Sequence, residues 1–174
     1  MHILRASAGV LITALFVMAA SSNNVAASDA RCDEVRFIND AAIPLRFQLL
    51  ASELAMNRGT HAQVKQLAEE IANDHRKISS MMIEAAQSVN AAVPDSLDAA
   101  RRNKLNGLTN VAIGKDFDAR YLASIMESQN RSITLFEAAA TNTQCATVHQ
   151  VAINALPILK RHHSKLQGLA VADR

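Results

Sequence analysis

The sequence predicts a single all-α domain, a bundle of four long helices with a shorter helical segment between the second and third. Ala and Leu, both strong helix formers, dominate a chain that has few aromatic residues. Apolar residues recur at helical spacing, and the strict apolar–polar alternation of a half-buried strand is missing from the sequence. These observations favour helices packed closely against one another.

Glycine and capping residues set the limits of these helices. Gly59 ends the first helix, and Thr60 with Gln63 has the capping-box spacing that opens the second. Asp95 is the predicted N-cap of the shorter segment, and Gly114 its end. The predicted helical ranges are, in chain order, about 33–58, 60–90, 95–112, 116–140 and 141–171.

Two cysteines, Cys32 and Cys145, link covalent structure to topology. In an exported chain the pair predicts one disulfide, and the alternative is two unpaired thiols. The cysteines begin helices one and four, so an up-down-up-down bundle would separate them by roughly 35 Å, beyond disulfide reach. Both lie at one end if 95–112 carries the chain back along the bundle. The disulfide therefore predicts a long crossover between helices two and three, which is the ferritin-like connection.

The N-terminal residues have the pattern of a secretory signal. His2 and Arg5 form a short basic region ahead of the apolar run 8–20, and Val25-x-Ala27 is a suitable cleavage site. That run is shorter than the roughly 20 residues of a membrane-spanning helix, and an uncleaved anchor is the alternative. We therefore expect a periplasmic or otherwise extracytoplasmic protein with no transmembrane helix in its mature chain. The expected organisation is a signal peptide over 1–27, an extension over 28–36 and the bundle domain over 37–171.

The charge balance argues against nucleic acid as a partner. The chain has 18 basic and 16 acidic residues, and removing Arg5 with the signal leaves 18 − 1 = 17 basic residues. A nearly neutral chain without a Lys/Arg run cannot neutralise a phosphate backbone. Peripheral association with the cell envelope stays open, and the physiological partner is not predicted.

Polar residues interrupt the apolar stripes that should face the core. Asp74 and His75 lie on the stripe of helix two, and His162 lies on that of helix four. Gln48 and Gln129 fall on the inward faces of helices one and three. A buried carboxylate or imidazole is costly unless it is paired, so these side chains must find partners inside the bundle. The sequence thus predicts a buried polar cluster between the helices.

Short motifs along the chain support a relationship to a known family. They are Phe37…Ala41-Ala42, Val64-Lys65 leading to Asp74-His75, Phe117-Asp118…Tyr121, Ile133…Leu135-Phe136, and Leu156-Pro157…Leu159…His162. With these motifs in this order, from Phe37 to about Leu169, the chain resembles the bacterial family called domain of unknown function 4142. The resemblance implies an exported protein with a ferritin-like helical bundle and an unassigned biochemical role.

The chain departs from that family at two inward positions. Family members often carry Glu where this chain has Gln48, and His where it has Gln129. An amide is a poor ligand for zinc or iron, so the departures weaken any metal site that the resemblance implies.

The di-iron pattern of ferritin-like oxidases requires Glu-x-x-His on two helices. Ala72 precedes His75 by three residues, and Leu159 precedes His162 by three, so this pattern is missing. We predict no catalytic residue and lean against an enzyme.

Two functions remain. The favoured one is a non-catalytic exported bundle that acts by binding or within the envelope. In that interpretation Asp74 accepts a hydrogen bond from His162 or His75, and Gln48 and Gln129 complete a satisfied polar network. The alternative is a metal- or small-ligand-binding protein, in which His75, His162 and Asp74 hold a transition metal.

Overall fold

The computed structural model describes residues 33–142 and 144–172, and within this part of the chain every regular element is a helix. The helices are α1 (Glu34–Arg58), α2 (Ala62–Ser88), α3 (Ala99–Thr109), α4 (Lys115–Thr141) and α5 (Ala146–Ala172). The prediction of four long helices, with a shorter one between the second and third, is confirmed. Among the described helices, none combines the length and apolarity needed to cross a membrane.

Helices α1 and α4 run in opposite directions. Phe37, near the start of α1, packs its ring edge-on against Phe136, late in α4, with centroids 5.2 Å apart. Ser52, further along α1, lies 2.9 Å from the hydroxyl of Tyr121, which is early in α4. Residues near the start of α1 therefore contact the end of α4, and residues further along α1 contact the beginning of α4.

Helices α2 and α5 are antiparallel in the same way. Lys165 Nζ pairs with Glu70 at 2.5 Å, and Arg161, one turn earlier on α5, pairs with Asp74 at 2.6 Å. Since α1 and α2 form a helical hairpin, α2 and α4 must start at the same end of the bundle. The segment 89–114 therefore returns the chain along the bundle, which confirms the predicted ferritin-like crossover.

A polar layer divides the buried core into two apolar clusters. One cluster contains Leu45, Ile78, Phe136 and Leu159, and the other contains Ala51, Ile71, Ile125 and Leu166. Each long helix contributes to both clusters, and each places one fully buried polar residue in the layer. These four residues are Gln48, His75, Gln129 and His162.

The N-terminus of α2 differs from its prediction. The capping box of Thr60 and Gln63 does not form, and His61 occupies the N-cap position without a side-chain bond. The buried carboxylate of Asp118, in the first turn of α4, instead accepts hydrogen bonds from Thr60 N, Thr60 Oγ1 and His61 N at 2.8–3.1 Å. A charged acceptor supplied by another helix replaces the local cap.

The crossover helix is also shorter than predicted. Asp98, not Asp95, is its N-cap, and the Asp98 side chain accepts from Arg101 N at 2.7 Å. Leu97 is buried in the core just before this cap, and the chain from 91 to 98 is not helical. Gly114 does not end α3 but precedes α4, with φ of +147°, a backbone conformation that L side chains rarely adopt.

Gly59 and Gly107 make a matched pair for testing the close approach at the α1–α2 turn. A Cβ at Gly59 would lie 2.7 Å from the Ala55 carbonyl oxygen and 3.3 Å from Asp118 Oδ1, whereas one at Gly107 would meet nothing within 4 Å. We expect Gly59→Ala to lower the free energy of unfolding by about 1–3 kcal/mol. Gly107→Ala, within helix α3, should raise it by about 0.5 kcal/mol. Urea unfolding of both variants checks the prediction, which equal effects would contradict.

Candidate binding site

The polar layer is a ring formed by one side chain from each long helix. Gln48 on α1, His75 on α2, Gln129 on α4 and His162 on α5 are each 0% exposed. We call these four residues the central ring. Asp74, the fifth predicted residue of the cluster, lies beside the ring at 7% exposure.

The two glutamines of the central ring donate to neighbouring helices. Gln48 Nε2 donates to Ser128 Oγ at 3.1 Å and to Ser132 Oγ at 3.0 Å, so α1 is joined to α4. Gln129 Nε2 donates to the carbonyl oxygen of Leu159 at 2.8 Å, so α4 is joined to α5. Both amide NH₂ groups therefore point away from the ring's own members.

The two histidines join the remaining neighbouring helices by hydrogen bonds. His162 Nε2 lies 3.1 Å from Asp74 Oδ2, which joins α5 to α2. His75 Nδ1 lies 3.3 Å from the Leu45 carbonyl oxygen, which joins α2 back to α1. A carboxylate and a carbonyl can only accept, so His162 carries its proton on Nε2 and His75 on Nδ1.

One acceptor atom on each ring member has no partner among the described residues. These buried atoms are Gln48 Oε1, His75 Nε2, Gln129 Oε1 and His162 Nδ1. The network therefore satisfies its donors but leaves two amide oxygens and two imidazole nitrogens bare. Leaving a buried acceptor unpaired costs about 1–3 kcal/mol, so four in one layer need a physical reason.

Burial keeps both imidazoles neutral. It lowers the pKa of His75 from 6.5 to about 3, with the neighbouring His162 adding to the effect and the Leu45 carbonyl opposing it. Burial also lowers the pKa of His162, although the hydrogen bond to Asp74 acts in the other direction. Each neutral ring then presents an unprotonated nitrogen, the form that binds a metal ion.

The two rings lie close enough to share one ion. Their centroids are 5.7 Å apart, and their planes are inclined by 25°. Two metal–nitrogen bonds of about 2.0 Å, added to the ring radii, span roughly 6 Å between centroids. The two stacked rings are therefore about as far apart as a shared ion would hold them.

The acidic groups near the ring are already engaged. Ligand atoms of Glu70, Asp74 and His162 lie within 4.8 Å of one another, a trio of which His75 is not a member. Arg161 contacts both carboxylates, Lys165 pairs with Glu70, and Lys77 pairs with Asp74 at 3.0 Å. A metal would have to displace these cations to use the carboxylates.

Asp74 instead orients a histidine. Burial tends to raise the pKa of Asp74, but hydrogen bonds from Lys77 and His162 outweigh it and hold the pKa below its usual range. The carboxylate therefore stays charged and accepts from His162 Nε2. Histidines that bind metals almost always donate their other nitrogen to a carboxylate or carbonyl, as both ring histidines do here.

The structure brings together the four ring residues that the sequence named and pairs His162 with Asp74, but the serines that pair with Gln48 were not predicted. Ser128 and Ser132 stand one residue before and three after Gln129, so helical spacing places them on neighbouring faces. Glu70 is one helical turn before Asp74, and this spacing could have predicted that the two carboxylates lie side by side on α2. Asp118 was noticed only as part of a motif, although it is buried at 3% exposure.

Comparisons with known proteins support the fold. The profile of a family described as "Domain of unknown function (DUF4142)" matches residues 18–169. A solved structure described as a DUF305 fragment from Deinococcus radiodurans superposes with a TM-score of 0.70 and 12% identity, covering 80% of this chain and 95% of that one. At this identity the likeness shows a shared fold and nothing about function. No curated protein matches the sequence.

Proposed function

The chain belongs to the DUF4142 family, and from that premise of an unassigned role we propose that it is a non-catalytic binding protein, exported from the cytoplasm, that holds a transition-metal ion in the central ring. One observation carries the proposal: four buried acceptor atoms, one from each long helix, have no partner among the described residues. An ion bound by two or more of these atoms would supply partners that the described residues do not.

The histidines would be the principal ligands. His75 Nε2 and His162 Nδ1 are bare nitrogens on neutral rings, and imidazole suits zinc, copper, iron and nickel. Gln48 Oε1 and Gln129 Oε1 would contribute weaker, neutral oxygen contacts. Asp74, which the sequence put among the ligands, would act through His162 by fixing its tautomer.

A binding role fits the ring better than a catalytic one. All four side chains are 0% exposed, so a substrate could not reach an ion held among them without opening the bundle. The carboxylates of a di-iron oxidase are also missing at the equivalent sequence positions, since Ala72 and Leu159 precede the histidines by three residues.

Metal analysis of the untagged protein tests the proposal. We expect about one equivalent of a transition metal, either retained on purification or taken up on incubation, and its loss in His75→Ala and His162→Ala. His163→Ala is the matched control because His163 adjoins His162 on α5 but is partly exposed, so it should keep the metal. Metal content unchanged by the ring substitutions would contradict the proposal. If the wild-type protein took up no metal and the ring variants had a lower melting temperature, the ring would be a purely structural network.

We also propose that the protein carries a disulfide between Cys32 and Cys145. Cys32 lies outside the described residues. In support, Cys145 is buried in the same cluster as Phe37, at the end of the bundle where α1 begins. Intact-mass measurement after alkylation without reductant should show no alkylated cysteine, and reduction should lower the free energy of unfolding by about 4 kcal/mol. Two alkylated thiols would contradict it.

A further inference from the structure

The charge around the central ring restricts the kind of ion that it could hold. The ring itself is neutral, consisting of two amides and two uncharged imidazoles. The nearest acids, Glu70 and Asp74, are matched by the bases Lys77, Arg161 and Lys165. No unpaired negative charge among these groups is left to compensate a bound ion.

Burial makes this absence of negative charge important. The ring side chains are 0% exposed, so a bound ion exchanges its water shell for the protein interior. The Born cost of that transfer rises with the square of the charge, so a dication costs about four times as much as a monocation. Metal sites for dications commonly use anionic Cys or carboxylate ligands, which this ring lacks.

The ligand atoms restrict the ion further. Alkali cations prefer oxygen, whereas the two histidines offer nitrogen, which favours transition metals. Monovalent ions that bind imidazole nitrogen well are those of the d¹⁰ coinage metals, cuprous and silver. The ring offers these ions two unpaired imidazole nitrogens as strong ligands, with the two amide oxygens as weak additional contacts.

We propose that the central ring is selective for a monovalent d¹⁰ metal ion, of the Cu(I) and Ag(I) class, over divalent ions, because its four ligands are neutral and sealed from water. This inference rests on the proposed metal-binding function. It goes further by specifying the charge of the bound ion, which we infer from the charged groups around the ring.

Titration of the full exported protein with silver and zinc ions tests the selectivity. Ag(I) is the probe because it is monovalent, stable in air and free of redox change. In chloride-free buffer we expect one equivalent of Ag(I) to bind about 100-fold more tightly than Zn(II), as expected for a neutral buried site. The His75→Leu/His162→Leu double variant should lose this binding. Its loss would show that Ag(I) binds to the ring histidines and not to methionine sulfurs such as that of Met82.

A charge-adding variant tests the reason for the selectivity. Gln48→Glu places a carboxylate in the ring, and Ser128 and Ser132 can turn their hydroxyls to donate to it. Zn(II) affinity should rise at least about tenfold relative to Ag(I), because a dication gains more from an added charge. Gln66→Glu, the same change at an exposed position of α2, should leave the preference unaltered. The wild-type comparison decides the question even if Gln48→Glu does not fold.

The outcomes separate this inference from the proposed function. Histidine-dependent binding of Zn(II) that is tighter than that of Ag(I) would overturn the monovalent preference and leave metal binding standing. Failure of both ions to bind at the histidines would overturn both proposals, whereas Ag(I) binding that survives in the double variant would overturn the monovalent preference alone. An unchanged preference in a folded Gln48→Glu protein would overturn the charge argument.

Discussion

Replacing Asp118 with alanine should lower the free energy of unfolding by about 3 kcal/mol, because hydrogen bonds to a charged acceptor contribute about 1.5–3 kcal/mol and their loss leaves the α2 terminus without a cap. The Asp118 carboxylate accepts from Thr60 N, Thr60 Oγ1 and His61 N at 2.8–3.1 Å. The Asp118 side chain is itself buried, at 3% exposure. Urea unfolding measures the change directly.

Two further variants sharpen this test. Asp116→Ala removes an exposed acid from the same turn of α4 and should change the free energy of unfolding by no more than about 0.5 kcal/mol. Asp118→Asn keeps one acceptor oxygen, so its free energy of unfolding should lie between those of the alanine variant and the wild type. Equal losses in Asp118→Ala and Asp116→Ala would show that the carboxylate acts only as a general charge at the helix terminus.

The metal-free protein should lose stability steadily in mild acid. The pKa of His75 falls from 6.5 in its ordinary state to about 3 in the fold, so below pH 6.5 the unfolded chain binds a proton that the folded chain refuses. Stability is complete above pH 6.5 and decreases by about 1.4 kcal/mol per pH unit below it. Around pH 4.5 the loss from this residue should reach about 3 kcal/mol.

Other groups add to this acid sensitivity with the same sign. The pKa of His162 is also lowered by burial, so its contribution is likewise lost as the pH falls. The pKa of Asp74 lies below its ordinary 3.8, so the stability from this carboxylate disappears only in stronger acid. Denaturant unfolding between pH 7.5 and 4.5, with a chelator present, measures the combined slope.

Two substitutions identify the source of the slope. His75→Gln removes the titrating group and keeps an amide that can donate to the Leu45 carbonyl oxygen, so the slope should become flatter. His61→Gln, at the exposed N-cap position of α2, is the control for replacing a histidine by glutamine elsewhere in the same helix region. A His75→Gln protein with the full acid sensitivity would show that the buried imidazole is not responsible.

The fold could be predicted because its signals are local or lie in the positions of two cysteines. Helical periodicity needs only neighbouring residues, and Gly59 marks the first turn at the position where α1 ends. The crossover follows from the disulfide expected between Cys32 and Cys145, which would place the starts of α1 and α5 at one end of the bundle. The predicted capping box of Thr60 and Gln63 was wrong because the Thr60 side chain instead pairs with Asp118, which is distant in sequence and reaches α2 only in the folded bundle.

The candidate site was predictable as a set of residues but not as a set of atoms. Periodicity places Gln48 and Gln129 on inward faces, and it puts His75 and His162 on apolar stripes. Whether an amide oxygen finds a donor depends on the rotation and offset between helices, which no spacing in the sequence records. The expected satisfied network therefore became one in which the donors are paired and one acceptor on each ring member is bare.

The crossover has a consequence for cooperativity. The hairpin of α1 and α2 contains neither the acid that completes the α2 terminus nor the serines that hold Gln48, because all of these lie on α4. The hairpin of α4 and α5 likewise lacks Asp74, which holds His162. Each half leaves buried polar groups that only the other half satisfies, so we expect no stable half-folded intermediate and a single unfolding transition.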